Sequence, residues 1–424
     1  MYVDFPNTAE NDINDLNWKP LFDEKLLSAK DDDTSLAADL LRERMRSSQT
    51  GVTQFVLDEP SGRILFIANG SVYLTTDIVD NENIPKLIQT GCAGILHLSF
   101  SPSNSDLAAI ISGPNIFIGS LDSDSKWLNL TNYSKSIEGV FAGTPAFAIQ
   151  EEFNRYIGYW WRPRSEPISE TQNLYSILFE HTNETGVDEI YLFSHGSGSL
   201  KDFENHRYPK PGAKNANSEL KVVQFVYDSS SKEFSNVQIL APNLNEQVKA
   251  LFATYEYVTR AGWTADGNHV WVQLMNRLQT SAAVYLIPLQ LFSNDSAATQ
   301  LSVVKIFEET SSDEAWVEAH DMWNFLRCSS STAVEFFTAS QVITNAEGQQ
   351  DSKMGYTDLF HVFRDWSSIK ADNGFVDASN SGFIRALTSS QFDITVRRKP
   401  LKVFESSGSK DSNAILFYCT KLDS

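Results

Sequence analysis

From Gly51 onward the apolar residues fall into short runs separated by polar turns, which is the pattern of strands joined by hairpins. Arg63-Ile-Leu-Phe-Ile-Ala68, then Asn69-Gly70, then Ser71-Val-Tyr-Leu-Thr75 predicts the first hairpin. Asn-Gly tolerates the two positive-φ positions of a type I′ turn, and both flanks are β-branched or aromatic. Asp106 to Ile111, a Gly113-Pro114-Asn115 turn and Ile116 to Leu121 predict a second. Gly262-Trp-Thr-Ala-Asp-Gly-Asn268 leads into strands at His269 to Leu274 and Ala283 to Ile287. A last hairpin is expected from Leu401 to Phe404 and Ala414 to Tyr418, across a Ser/Gly/Lys/Asp loop. The units share one form, a polar turn, a buried strand, a turn and another strand, and imperfect repetition of that form predicts a β-propeller.

Ahead of the strands, Lys30 to Asp33 is a charged break that Thr34 or Ser35 can follow as a helix cap. Leu36, Leu40, Leu41 and Met45 then recur at helical spacing, with Arg42, Glu43, Arg44 and Arg46 on the polar side. The expected organisation is a helical N-terminal segment, 1–50, before a strand-built body, 51–424. Asn205 to Ser218 is basic and turn-rich and reads as a connecting loop, and Ser367 to Ser381 is mildly rich in Ser, Asp and Asn.

Composition narrows the function classes. With 54 acidic against 34 basic residues the net charge is -20, a surface that repels phosphate backbones and anionic lipid headgroups. Nucleic acid and membrane partners are therefore disfavoured, and cationic ligands such as a peptide N-terminus are favoured. Cys92, Cys328 and Cys419 lie far apart and form no disulfide framework, which predicts a reducing compartment. The N-terminus has neither a basic nor an apolar signal region, and no run approaches the ~18 apolar residues of a membrane helix. A cytoplasmic protein is expected. His181, His195 and His206 match no metal-ligand spacing and read as surface or loop residues, so no metal or other cofactor is expected.

The stretch from Phe147 to Pro163 carries the candidate chemistry. Glu151 and Glu152 are adjacent carboxylates inside an apolar and aromatic run, Phe147-Ala-Ile-Gln-Glu-Glu-Phe-Asn-Arg-Tyr156 and then Gly158-Tyr-Trp-Trp161. Burying two like charges is costly unless a cation neutralises them. A peptide α-ammonium would do so through charge-assisted hydrogen bonds. The alternatives are a solvated turn, or pairing of the glutamates with Arg155.

These same residues closely resemble the Glu-Glu motif of the dipeptidyl peptidase IV family, and within it the cytosolic members numbered eight and nine. Leu40-Leu-Arg-Glu-Arg-Met-Arg46 resembles the helix leading into their propeller. Arg207-Tyr-Pro209 with Lys214-Asn215, Tyr257-Val-Thr-Arg-Ala-Gly-Trp-Thr264, Val317 with His320-Asp321, and Ala386-Leu-Thr-Ser389 follow in the family's order. The resemblance implies an all-β fold, an eight-bladed-type β-propeller that is incomplete here, preceded by a short helical segment. It also implies that Glu151 and Glu152 grip the substrate's free amino group, which places the second peptide bond at a serine nucleophile, usually after proline or alanine. Arg46 is the candidate for holding the substrate carbonyl. The segment from Val187 to Tyr208 stands where the family carries an extended arm used in dimer and partner contacts, but its local sequence departs substantially. By the same comparison the expected dimer partner is a second copy or a full-length paralogue.

Hydrolysis would need a Gly-x-Ser-x-Gly elbow with Asp and His, and no such pentapeptide occurs in the 424 residues. Gly196-Ser197-Gly198 lacks the spacing. The family's α/β-hydrolase domain is thus absent from the chain, which by comparison ends inside the propeller, and the chain alone is expected to be inactive. Three readings follow: the substrate-gripping region of an aminodipeptidase, a short product that binds peptides or partners without cleaving them, or a regulatory subunit of a full-length paralogue.

Overall fold

The computed structural model describes residues 21–23, 25, 27, 36–46, 51–76, 84–122, 126–134, 137–193, 203–293, 301–311, 315–340, 358–387, 394–400 and 415–421. The chain divides into two compact units, Met1–Ala241 and Pro242–Ser424.

In the first unit, helix α1 (Leu36–Arg44) precedes an antiparallel meander of β1 (Val52–Asp58), β2 (Arg63–Ala68), β3 (Ser71–Thr76) and β4 (Lys86–Ile88). A second meander follows, β5 (Ile95–Ser101), β6 (Asn104–Ser112), β7 (Asn115–Ser120) and β8 (Leu128–Asn129). Next come β9 (Val140–Ala142), helix α2 (Phe147–Phe153), β10 (Tyr159–Trp161) and β11 (Glu166–Pro167). These three short strands all pair with the long β12 (Gln172–Asn183). A separate hairpin, β13 (Glu189–Phe193) and β14 (Phe203–Arg207), interrupts the chain before β15 (Asn217–Asp228) and β16 (Glu233–Leu240) complete that sheet.

The second unit starts with α3 (Glu246–Phe252), capped by the Asn245 side chain, which accepts a hydrogen bond from the Val248 N–H. Its strands are β17 (Tyr257–Trp263), β18 (His269–Met275), β19 (Ser281–Pro288), β20 (Val303–Thr310), β21 (Asn324–Phe325), β22 (Ala333–Ser340), β23 (Asp358–Asp365), β24 (Phe375–Asp377), β25 (Phe383–Ala386), β26 (Ile394–Pro400) and β27 (Ile415–Lys421). They form one sheet in the order β17-β18-β19-β20-β24, a second in the order β21-β22-β23-β25, and the β26-β27 hairpin.

In β6, β18 and β19 the apolar runs are continuous, not alternating, because these strands are covered on both faces. In β6, Leu107, Ala109 and Ile111 join the core shared with the third sheet, while Ala108 and Ile110 face the core shared with the first. In the second unit Val284, Leu286, Val304, Ile306, Val334, Phe336 and Val362 form the core between its two sheets. Sheets of four to six strands stacked in this way within each unit make an all-β, propeller-type fold. Stacking leaves little room: a Cβ on Gly119 of β7 would lie 2.3 Å from the buried Trp127 ring. Gly119→Ala is expected to destabilise the first unit by about 1–3 kcal/mol, the usual cost of overpacking, measured as a lower urea midpoint.

The first hairpin has the expected turn, with Asn69 at φ 49° and Gly70 at φ 70°. The second closes more tightly than its sequence implied, since Asn115 is already in the strand and pairs with Ser112. Other expectations need correction. Arg42 is buried and Met45 exposed, because α1 ends at Arg44 and Met45 falls in the turn beyond the apolar stripe. Asn205 to Arg207 belong to β14, so the loop is shorter than predicted. The last hairpin pairs Ile394–Pro400 with Ile415–Lys421, so its first strand starts upstream of the expected Leu401, and residues 401–414 lie outside the described residues. The polar stretch from Ser367 to Ser381 contains β24, which pairs in parallel with β20.

Candidate functional site

Helix α2 sits between β9 and β10, in a sequence of poor helix-starting signals: Ala146 precedes it and offers no side-chain cap. The missing cap is supplied from a distance. The Phe147 N–H donates to Glu184 Oε1 at 2.8 Å, and burial of Glu184 pushes its carboxyl above the ordinary range, against the pull of that N–H and of Arg44 and Arg207. At the other end Asn154 takes the left-handed conformation (φ 50°) and its N–H donates to Ile149 O. Ile149, Gln150 and Phe153 face inward, which leaves Glu151 and Glu152 exposed.

The loops flanking α2 are tied to β12. Gly143 N–H donates to Glu180 O at 2.9 Å, Glu180 N–H to Gly158 O at 2.8 Å, and Gly158 N–H to Gly143 O at 2.8 Å. Gly158 is closely packed here, since a Cβ would lie 3.1 Å from the Gly143 backbone and 3.2 Å from Glu180 Oε2. Arg155 forms its ion pair with Glu180, at 2.6 Å and buried, so Glu180 is a partner of this arginine that the sequence did not indicate.

Beside α2 lies an open cavity of about 600 Å³. The end of α1 and the turn after it contribute Leu40, Glu43, Arg44, Met45 and Arg46, and the α2 region Phe147, Glu151, Asn154 and Tyr156. The β13–β14 hairpin adds Leu192 and His206. The structure thus brings Glu151 and Arg46, two of the residues singled out in the sequence, to one cavity. Glu152 is exposed on the same turn but is not among the lining residues, since neighbouring helix positions are rotated by about 100°. Glu151 lies 3.7 Å from Arg44 Nε and its side chain is 42% exposed. Burial draws the Arg44 pKa down, and Glu151, Glu184 and Glu43 oppose that shift.

Several residues of this site escaped the sequence reading. Gln150 and Tyr156 stand inside the quoted motif without an obvious role, Arg44 is one of several arginines in a run, and Glu184 is remote in sequence. His206 is not a loop residue but a strand residue at the cavity, with its ring 6.0 Å from that of Phe147. His181 is half-buried on β12, packs on Tyr133 at 5.1 Å, and has its pKa lowered by burial. His195 and Gly196-Ser197-Gly198 lie outside the described residues. Among the described residues no group of His, Cys, Asp and Glu is placed to hold a metal ion, and no helix is long and apolar enough to cross a membrane.

Comparison with known proteins places these features in a family. The chain is 28% identical over 367 residues to dipeptidyl peptidase 8 of Homo sapiens and, equally, of Mus musculus. These alignments cover 81% of the chain and 40% of each relative, so the chain spans well under half the length of the curated relatives it matches. Among solved structures, dipeptidyl peptidase 4 of Porphyromonas gingivalis aligns with a TM-score of 0.49 at 17% identity, covering 87% of this chain and 43% of that one. The family model of the dipeptidyl peptidase IV N-terminal region matches residues 69–403, which spans both units and contains α2 with Glu151 and Glu152. The chain belongs to the dipeptidyl peptidase IV N-terminal region family.

Proposed function

We propose that this chain is the substrate-gripping region of a cytoplasmic, proline-specific dipeptidyl aminopeptidase of the serine type, in which Glu151 and Glu152 hold the substrate's α-ammonium and Arg46 its carbonyl. The observation that carries the reading is the exposed Glu151 carboxylate on the wall of an open cavity. It stands in the last turn of α2, where the aligned peptide dipoles already present negative charge and a carboxylate is intrinsically disfavoured. A cationic ligand relieves both. The α-ammonium suits the place because it donates up to three charge-assisted hydrogen bonds, and anchoring it fixes how far along the chain the scissile bond lies. The nucleophile, general base and oxyanion donors belong to the hydrolase domain of this proposal, not to the residues of this chain.

The test is cleavage of a Gly-Pro or Ala-Pro chromogenic amide by the 424-residue chain and by the longest product of its locus. Only the long product is expected to cleave. In it, Glu151→Ala or Glu152→Ala should lower kcat/KM by roughly 10- to 150-fold, the equivalent of one charge-assisted hydrogen bond of about 1.5–3 kcal/mol. An N-acetylated substrate should be refused to a similar degree. Cleavage that is indifferent to both glutamates and to acetylation would sink the ammonium reading, and absence of cleavage by either form would leave a peptide-binding module.

A further inference from the structure

We propose that Arg44 is the positioning residue of this ammonium site, holding the Glu151 carboxylate in place and fixing where Arg46 enters the cavity. The inference rests on the proposed function and adds to it a residue outside the Glu-Glu pair. Arg44 touches three positions on one face of α2, spaced i, i+3 and i+4. Its guanidinium carbon lies 4.3 Å from the centre of the Phe147 ring, its Nη1 donates to Gln150 Oε1 at 2.8 Å, and its Nε lies 3.7 Å from Glu151 Oε1. A planar guanidinium can stack, donate and attract at once, which an ammonium on a flexible stem cannot.

Both ends of this contact are fixed. Gln150 is nearly fully buried, and its Nε2 donates to Pro145 O at 2.8 Å, so the amide that receives Arg44 cannot swing away. On the other side Tyr156 donates its hydroxyl hydrogen to Arg44 O at 3.3 Å, which ties the end of α1 to the segment following α2. The separation between Arg44 and Glu151 is longer than a hydrogen bond, so the guanidinium orients the carboxylate by charge and leaves its lone pairs for an incoming donor. Arg46 stands two residues beyond, in the left-handed conformation at φ 50°. With Arg44 clamped to α2, the starting point of the Arg46 side chain is set relative to Glu151, so the anchor for the amino group and the anchor for the carbonyl keep one spacing.

The experiment is a double-mutant cycle in the 424-residue chain, read by 19F NMR titration of a fluorine-labelled Ala-Pro amide with a free or an acetylated amine. Arg44→Met is expected to weaken binding of the free-amine probe about fivefold to tenfold when Glu151 is present, and less than about twofold in Glu151→Gln, as for residues that act through one another. Arg44→Lys keeps the charge without the fork and should recover only part of the loss. A merely structural arginine would weaken the probe equally in both backgrounds and lower the urea midpoint in parallel, and that result overturns the proposal. So does unchanged binding in Arg44→Lys and Arg44→Met alike. If Arg44→Met fails to fold, the same cycle with Arg44→Lys decides. If neither Glu151→Gln nor acetylation affects binding, the ammonium site itself is wrong and the Arg44 proposal falls with it. That outcome is distinct from one in which Glu151 matters and Arg44 does not.

Discussion

Arg155→Met is expected to destabilise the first unit by about 3–5 kcal/mol, the penalty for stranding one member of a buried ion pair. Arg155 is 7% exposed and Glu180 is fully buried, with 2.6 Å between Nη1 and Oε2. Removing the guanidinium leaves the Glu180 carboxylate without that charge in the interior, on the strand whose backbone anchors both loops around α2. The loss should be visible as a lower urea midpoint with the slope unchanged, followed by the intrinsic tryptophan emission, to which Trp160, with its ring 5.9 Å from the Arg155 guanidinium, contributes. Replacing both partners is expected to cost less than replacing either. A well-packed apolar pair in place of a buried salt bridge is often neutral, so Arg155→Met/Glu180→Leu should regain a large part of the stability. If the single and double variants unfold at the same midpoint, the pair is not what holds this segment. The consequence for function is direct: Arg155 follows the C-cap of α2, so loosening it loosens the helix that carries Glu151 and Glu152.

How much of this was legible in the sequence follows from the range of each interaction. The hairpin at Arg63 to Thr75 could be read because its register is set by two turn residues, Asn69 and Gly70, and a local signal decides a local structure. The β20–β24 pairing could not, because Val303 and Phe375 are joined across the whole of β21 to β23 and parallel pairing leaves no turn signature. The helix α1 was legible in its period but not in its end. Which of Arg42, Arg44 and Arg46 faces the interior depends on a helix that stops at Arg44, and the sequence carries no glycine or proline to mark that stop. Glu151 and Glu152 were found through an adjacent like-charge pair in an apolar setting and through family resemblance. The partners that position them, Arg44, Gln150, Tyr156 and Glu184, come together only through tertiary packing.

The second unit should respond to pH in a way that one buried acid decides. Glu309 on β20 is buried, and burial pushes its carboxyl up from 4.5 to about 7, against the hydroxyl of Ser340, which donates to Oε1, and reinforced by the nearby Glu318. A raised acid favours the protonated form in the folded state. Its stabilising contribution is present in full below pH 4.5, where the unfolded chain is also protonated, and is lost as pH rises toward 7. His320, in the same unit, acts with the opposite sign. Burial lowers its pKa from 6.5 to about 4, so the unfolded chain takes up its proton first and stability rises with pH across that interval. Between about pH 4.5 and 6.5 the Glu309 slope is opposed by that of His320 and by that of His269, whose pKa burial also lowers, and above that interval Glu309 dominates among these groups. Glu309→Gln keeps an acceptor for Ser340 and removes the titration. The variant is expected to match the parent near pH 4.5 and to exceed it in stability by about 3 kcal/mol at pH 8, at roughly 1.4 kcal/mol for each unit of raised pKa. Urea unfolding of both proteins at a series of pH values measures the difference directly. Curves that stay parallel from pH 4.5 to 8 would mean that Glu309 is ionised throughout, and that its burial is offset by a cation from elsewhere in the unit.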